Sequence, residues 1–209
     1  MAYSTSIFDV KDLKARIKAR GEEANKAAAL AINKTTTFAI KEAISDIQEE
    51  ANLQQGYISK HIKTVSRASA KKLRAVVAAN ARETLLTRYP YRKTAKGVAV
   101  SVGVTGYREI PRAFIVRGLK GSQATGVALS NKEALALFEK RFSKGQPTPG
   151  KQAKLAKLRS KAKSKPRGIE VLHSRSINQL FTSSRERIQP QITAFMINEF
   201  LADFDRLSI

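Results

Sequence analysis

Residues 22–51 read EEANKAAALAINKTTTFAIKEAISDIQEEA, and this stretch decides the fold class. Alanine has the highest intrinsic helix propensity, and Ala24, Ala28, Leu30, Ala31, Phe38, Ile44 and Ile47 supply apolar positions along it. Upstream, Asp9 suits an N-cap, with Asp12 three residues on in a capping-box-like position. Val10, Leu13 and Ile17 then recur at helical spacing. One long helix over 9–51 is predicted, with a break or kink at Gly21 and a local weakening at Thr35-Thr36-Thr37. Asn52 and Gly56 mark a turn, and Tyr57–Ile62 reads as one or two helical turns.

Beyond this the periodicity changes. Thr64-Val65-Ser66 and Leu73–Ala79 read as short strands, and GVAVSVGV at 97–104 is the clearest strand in the chain, with apolar residues at alternate positions. Arg112–Arg117 forms another after Pro111, and Gly126–Leu129 pairs with it across the glycine-rich loop. Residues 63–130 are thus mainly β. Lys132–Phe142 reads as a short helix or an edge segment. The C-terminal part carries a stripe of Ile188, Ile192, Phe195, Met196, Phe200, Phe204 and Leu207, which predicts an amphipathic helix over 183–207. Ser183 and Glu186 have capping-box spacing there. Pro190 then lies inside the helix, so either the start slips to Pro190 or the helix kinks. Core packing explains the stripe, with a subunit interface as the sharper alternative. The expected class is α+β, one domain over 1–209, with both long helices packed on an antiparallel sheet.

The formal net charge is +22, from 39 basic and 17 acidic residues. Residues 1–50 carry eight of each sign, residues 51–198 carry 30 basic against six acidic, and residues 199–209 carry one against three. A strongly cationic middle attracts polyanions or acidic protein surfaces and repels copies of itself. The extreme is 140–167, with eleven Lys or Arg and no acid, the composition of a mobile basic arm. Leu155 and Leu158 give it a weak apolar edge, so that Lys151–Lys165 can become helical on contact with a partner. The partner- or DNA-contact candidates are Lys144, Lys151, Lys154, Lys157, Arg159, Lys161, Lys163, Lys165 and Arg167. Any nucleic-acid contact would be made to phosphates, without sequence preference and with a steep salt dependence. Tyr89-Pro90-Tyr91-Arg92-Lys93 and Tyr107-Arg108 mix aromatic and basic residues, which permits stacking.

Catalytic patterns are missing from the sequence. There is no cysteine, which removes disulfides, thiolate chemistry and cysteine-bound zinc. His61 and His173 stand far apart and neither sits in a ligand motif. Gly118-Leu119-Lys120-Gly121-Ser122 lacks the spacing of a phosphate-binding loop and reads as a hairpin. Adjacent carboxylates such as Glu22-Glu23 point about 100° apart on a helix and do not converge. Glu42, Asp46, Glu49 and Glu50 line one helical face, which reads as a solvated or inter-subunit acidic stripe. No apolar run is long enough to span a bilayer, and Met1–Val10 lacks the layout of a signal peptide. The expectation is a non-enzymatic protein made in the cytosol, without cofactor or metal.

Several segments, taken in order, resemble the prophage minor tail protein Z family. Ala28–Thr35 (AALAINKT) resembles the "A-x-N-[KR]-T" stretch of that family's long N-terminal helix. Pro111–Val116 (PRAFIV) resembles its "P-x-A-F-I" strand. Ile169–Phe181 (IEVLHSRSINQLF) is similar to its "L-x-G-P-S-V-x-Q-M-F" segment, although His173-Ser174-Arg175 stand where the family usually has Gly-Pro before Ser. The resemblance implies a structural virion protein at the head-proximal end of a phage tail. It implies a homo-oligomeric ring, hexameric to match the tail tube, that joins tail terminator and tail tube proteins to the head-tail connector; a corollary hypothesis is that some Lys and Arg face the channel and contact genomic DNA without sequence preference. The alternative, resting on charge alone, is a non-specific nucleic-acid-binding protein.

Overall fold

The alanine-rich stretch forms helix α1, Gly21–Glu50, in the computed structural model, which describes residues 17–119, 123–142 and 148–207. The expected Asp9 cap, Val10 and Leu13 lie outside those residues. The threonine run does not interrupt α1. Thr36 and Thr37 donate their hydroxyls back to the carbonyls of Ile32 and Asn33, a bond that lets these side chains remain in a helix.

Helix α2 (Gln55–Lys60) follows, then strands β1 (Ile62–Ser66), β2 (Val76–Ala79) and β3 (Thr84–Leu85) and a 3-10 turn at Leu86–Arg88. Next come β4 (Tyr91–Thr94), β5 (Gly97–Val100), β6 (Arg108–Pro111), β7 (Phe114–Val116) and β8 (Gly126–Ser130). Helices α3 (Asn131–Phe142) and α4 (Pro149–Ser164), strands β9 (Ile169–Val171) and β10 (His173–Ser174) and helix α5 (Ile177–Leu207) complete the order. The fold is α+β with long helices near both ends and antiparallel sheets, as the sequence predicts.

The chain divides into two compact units. In the first (the described residues through Ile47, Ser59–Asn80 and those from Leu180 on), α1 and α5 lie antiparallel. Residue numbers rise along α1 as those of their partners fall along α5. Ala24 and Ala27 meet the fully buried Phe204, Lys34 meets Glu199 and Asp203, the Phe38 ring stacks on Phe195 at 4.2 Å, and Asp46 meets Arg187. Small alanines on α1 admit the large phenylalanines of α5. The strands β1 and β2 pair antiparallel with an extra residue at Val65. Their connection is tied to α1 by Asn33, whose side chain exchanges two hydrogen bonds of 3.0 and 2.9 Å with the backbone of Ala68.

The second unit (Gln48–Ile58 and Ala81–Gln179) holds two three-stranded antiparallel sheets, β4-β5-β6 and β7-β8-β9, and the short β3–β10 pair. In β5, Val98, Ala99 and Val100 are all buried, so the strand is covered on both faces, which explains its near-continuous apolar run. Gly97 is required at its start, because a Cβ there would lie 2.3 Å from the carbonyl oxygen of Ile110. The expected pairing of the 112–117 and 126–129 segments is present as β7–β8.

Four expectations change. The 97–104 strand ends at Val100, because Ser101 turns the chain with its hydroxyl on the Gly103 carbonyl and Asn52 donates its backbone N–H to Val102 instead of a strand doing so. The basic 140–167 segment is not a loop throughout: Pro149–Ser164 is helix α4, started by Pro149 in the first turn, where a missing N–H costs nothing. The C-terminal helix starts at Ile177, not near 183. Its cap is Ser176, whose hydroxyl accepts from the Gln179 N–H while the Gln179 side chain accepts from the Ser176 N–H, a reciprocal capping box. Pro190 neither starts nor ends the helix; it deprives one carbonyl of its helical donor on an exposed face, where water can replace it.

Because Ser176 is buried and its cap serves a helix of 31 residues, Ser176→Ala is expected to cost about 1 kcal/mol. Urea unfolding should show a lower midpoint with an unchanged slope; a midpoint equal to wild type would remove the cap from this account.

Candidate interaction surfaces

Helix α4 is built on a thin apolar edge. Lys154, Leu155, Leu158, Lys161 and Ala162 are buried or half-buried and every other residue of Lys151–Ser164 is exposed, the pattern of a helix with one face against a body. Leu158 is the anchor, at 1% exposure, and α4 lies against α3. Three of the nominated cations flank this edge and meet acids. Lys154 lies 3.6 Å from Glu83 and over the Phe138 ring at 5.1 Å. Arg159 donates to Glu139 at 3.1 Å. Lys161 donates to Glu170 at 2.6 Å. Lys157, Lys163, Lys165 and Arg167 are exposed and form no ion pair among the described residues; Lys151 is also exposed. Lys144 lies outside the described residues.

The far end of α4 is held by a residue that charge-based reading overlooks. Asn131, buried at the start of α3, donates its side-chain amide to the Lys165 carbonyl at 2.8 Å. Its backbone N–H donates to the Gly168 carbonyl at 2.7 Å, and the Gly168 N–H donates to the Lys165 carbonyl at 2.9 Å. Gly168 has no room for a side chain, since a Cβ would stand 2.5 Å from the Asn131 amide nitrogen. Ser130 caps α3 immediately before, its hydroxyl accepting from the Glu133 N–H and donating to the Glu133 carboxylate. The signal available in the sequence is the Ser-x-x-Glu spacing of a capping box.

The four acids of the α1 stripe have different fates. Asp46 accepts from Arg187 Nε at 3.0 and 3.2 Å, and its side chain is 18% exposed. The Arg187 hydrogen bond holds the Asp46 carboxyl below the usual carboxylate range, against the opposing effect of burial. Glu50 pairs with Arg175. Glu42 is half-buried and Glu49 is exposed. Two of the four therefore find partners 141 and 125 residues away in their own chain, separations at which sequence spacing carries no information.

The aromatic and basic segments come together in part. Arg92 lies over the Tyr107 ring at 4.7 Å, and Arg88 over Tyr57 at 5.4 Å. Tyr89 is buried at 2% exposure, with burial raising its phenol above the ordinary range, so it serves the core. Lys93, Lys96 and Arg112 line a shallow depression of 440 Å³ beside Gly97 and Phe114. Residues 120–122 of the glycine-rich loop lie outside the described residues. In the first unit, Glu186, Gln189, Pro190, Thr193, Ala194 and Ile197 of α5 line an open depression of 490 Å³, with Ile197 50% exposed. Of the predicted stripe, Ile188 and Phe204 are buried, Ile192, Phe195, Phe200 and Leu207 are half-buried, and Met196 is exposed.

Among the described residues, no group of three or more His, Cys, Asp or Glu is placed to hold a metal ion, and no helix is long and apolar enough to cross a membrane. Compared with protein-family models, with curated proteins and with solved structures, the chain matches none of them.

Because the folded-state pKa of Asp46 is depressed, its pair with Arg187 adds stability above the ordinary carboxylate range, and that stability is lost as pH falls through the depressed value. Asp46→Asn should lower stability at neutral pH by at most about 1 kcal/mol, since Arg187 is partly exposed. The deficit should shrink below about pH 4. Denaturation midpoints of the two proteins across pH measure this, and a constant difference down to the lowest pH would contradict it.

Proposed function

We propose that this chain is a structural virion protein of a tailed phage, a neck or tail-completion component. It assembles into a homo-oligomeric ring, hexameric to match the tail tube, and joins the tail to the head connector. It is made in the host cytoplasm and ends in the tail neck, and it acts by contact, with no catalytic step. The segments resembling the minor tail protein Z family support this reading. The observation that carries it is the face of α5 that is exposed among the described residues. Pro190, Ala194 and Ile197 recur at helical spacing on the exposed side of a stretch of α5 whose other side meets α1 through Arg187, Phe195 and Glu199. An exposed apolar stripe on a helix otherwise rich in polar residues fits burial against a second protein surface.

In the ring, that face is covered by a neighbouring copy. Glu186 at its edge offers a counter-charge to a neighbour that carries a large cationic excess. Tail terminator and connector proteins bind the two sides of the ring.

Phage lacking the gene should yield intact heads and intact tails that fail to join, seen by negative-stain microscopy; normal infectious virions would end the proposal. Native mass spectrometry should detect a closed oligomer of the purified chain or of its complex with tails. Ile197→Asp is expected to abolish that oligomer while leaving the circular dichroism melt within a few degrees of wild type. An oligomer that survives Ile197→Asp would remove the α5 face from the interface.

A further inference from the structure

The cations of the 140–167 region are not equivalent, and the few acids nearby sort them. Between residues 81 and 179 there are five carboxylates: Glu83, Glu109, Glu133, Glu139 and Glu170. Glu83, Glu139 and Glu170 take Lys154, Arg159 and Lys161 along the edge where α4 meets the body of its unit. Glu109 accepts from Thr94, and Glu133 is engaged by Ser130 and Arg112. Among the described residues, no carboxylate pairs with the outward side of α4, where Lys157 and Lys163 stand exposed and Lys165 and Arg167 continue past the helix end.

We propose that this outward face of α4, with Lys157, Lys163, Lys165 and Arg167 as its contacts, binds the phosphate backbone of nucleic acid without reading sequence. Between the cations the face carries only Ala153, Ala156, Ser160 and Ser164, all exposed. Small side chains let a polymer backbone lie against the helix while the lysines reach around it. Lys157 and Lys163 are six residues apart, roughly 9 Å along the axis at the helical rise, which places two phosphate contacts along one strand. Protein interfaces draw their energy from buried aromatic, large apolar or arginine anchors, and this face has no large apolar side chain to bury. Repeating phosphate needs only charge at intervals, and lysine supplies it.

The end of α4 is held by a clasp: the Lys161 carbonyl accepts from the Lys165 N–H, and the Lys165 carbonyl accepts from both Asn131 and Gly168. The same clasp fixes the helix end, so Lys163, Lys165 and Arg167 are presented from a held backbone.

The test is fluorescence anisotropy of the full chain with a random-sequence DNA duplex of about 25 base pairs, from about 50 to about 300 mM KCl. Each phosphate neutralised contributes about 0.9 to the slope of log affinity against log salt. The combined variant Lys157→Gln, Lys163→Gln, Lys165→Gln, Arg167→Gln should therefore reduce that slope by about 3 to 4. A matched variant, Lys60→Gln, Lys63→Gln, Lys71→Gln, Lys72→Gln, removes the same charge from exposed positions in the other unit and should leave the slope near wild type. Circular dichroism melts show whether both variants fold. Equal slope losses in the two variants would mean binding by net charge and would overturn the assignment. So would absence of wild-type binding at the lowest salt. Binding of poly-glutamate as tight as that of DNA would overturn it in favour of an acidic protein partner.

Discussion

Thirty-nine cations share seventeen carboxylates in this chain, and the placement of those few acids organises both of its units. An ionised group taken out of water is costly unless it is paired, so a buried carboxylate pulls its cation into a fixed geometry. Asp203, 2% exposed, holds Lys34 from α1 and Arg206 from its own helix. Hydrogen bonds to Glu199 and Asp203 raise the Lys34 ammonium above its ordinary value, so that contact persists until strongly alkaline pH. In the other unit, Glu50 holds Arg175 one residue before the Ser176 cap, and Glu170 and Glu139 hold the flanks of α4. These acids dock elements, while Lys157, Lys163, Lys165 and Arg167 of the basic segment are left exposed.

This division links the fold to the proposed contacts. A helix as lysine-rich as α4 gains little from burial, since only Leu155, Leu158 and Ala162 enter its apolar edge. Three ion pairs and the Asn131–Gly168 clasp supply the rest of its attachment. The pairs also engage the cations nearest the body and leave Lys157, Lys163, Lys165 and Arg167 exposed. A ring protein with such a face would meet its neighbours through apolar surface on α5 and meet polyanion through α4, so the two contacts would compete for none of the same residues.

Much of this was legible in the residues. Alanine content and helical spacing identify α1, a long apolar stripe identifies α5, and a continuous apolar run identifies β5. The misses have physical causes. In α4 the charge composition outweighs three apolar positions, although Pro149 and Thr148 before it are helix-start signals. Ser183 and Glu186 match a cap pattern, but Ser176 and Gln179 match it equally and come first, at the point where β10 ends. The acidic stripe on α1 reads as a surface because nothing at helical spacing reveals Arg187 or Arg175. Asn131 is invisible to any search for charge or catalysis; its role comes from the close approach of Gly168, which only three-dimensional structure displays.

The pairing of α1 with α5 places the small Ala24 and Ala27 opposite Phe204, and the hydrophobic attraction that holds it is non-directional. What distinguishes one alignment from the next, a turn or about 5.4 Å away, is the polar bonds, Lys34 with Glu199 and Asp203 near the middle of α1, and Asp46 with Arg187 toward its C-terminal end. Neutralising those carboxylates would leave the apolar contacts available in more than one alignment. The ionic pins therefore act as a vernier: they choose the setting of a helix pair that hydrophobic burial alone would hold together without choosing.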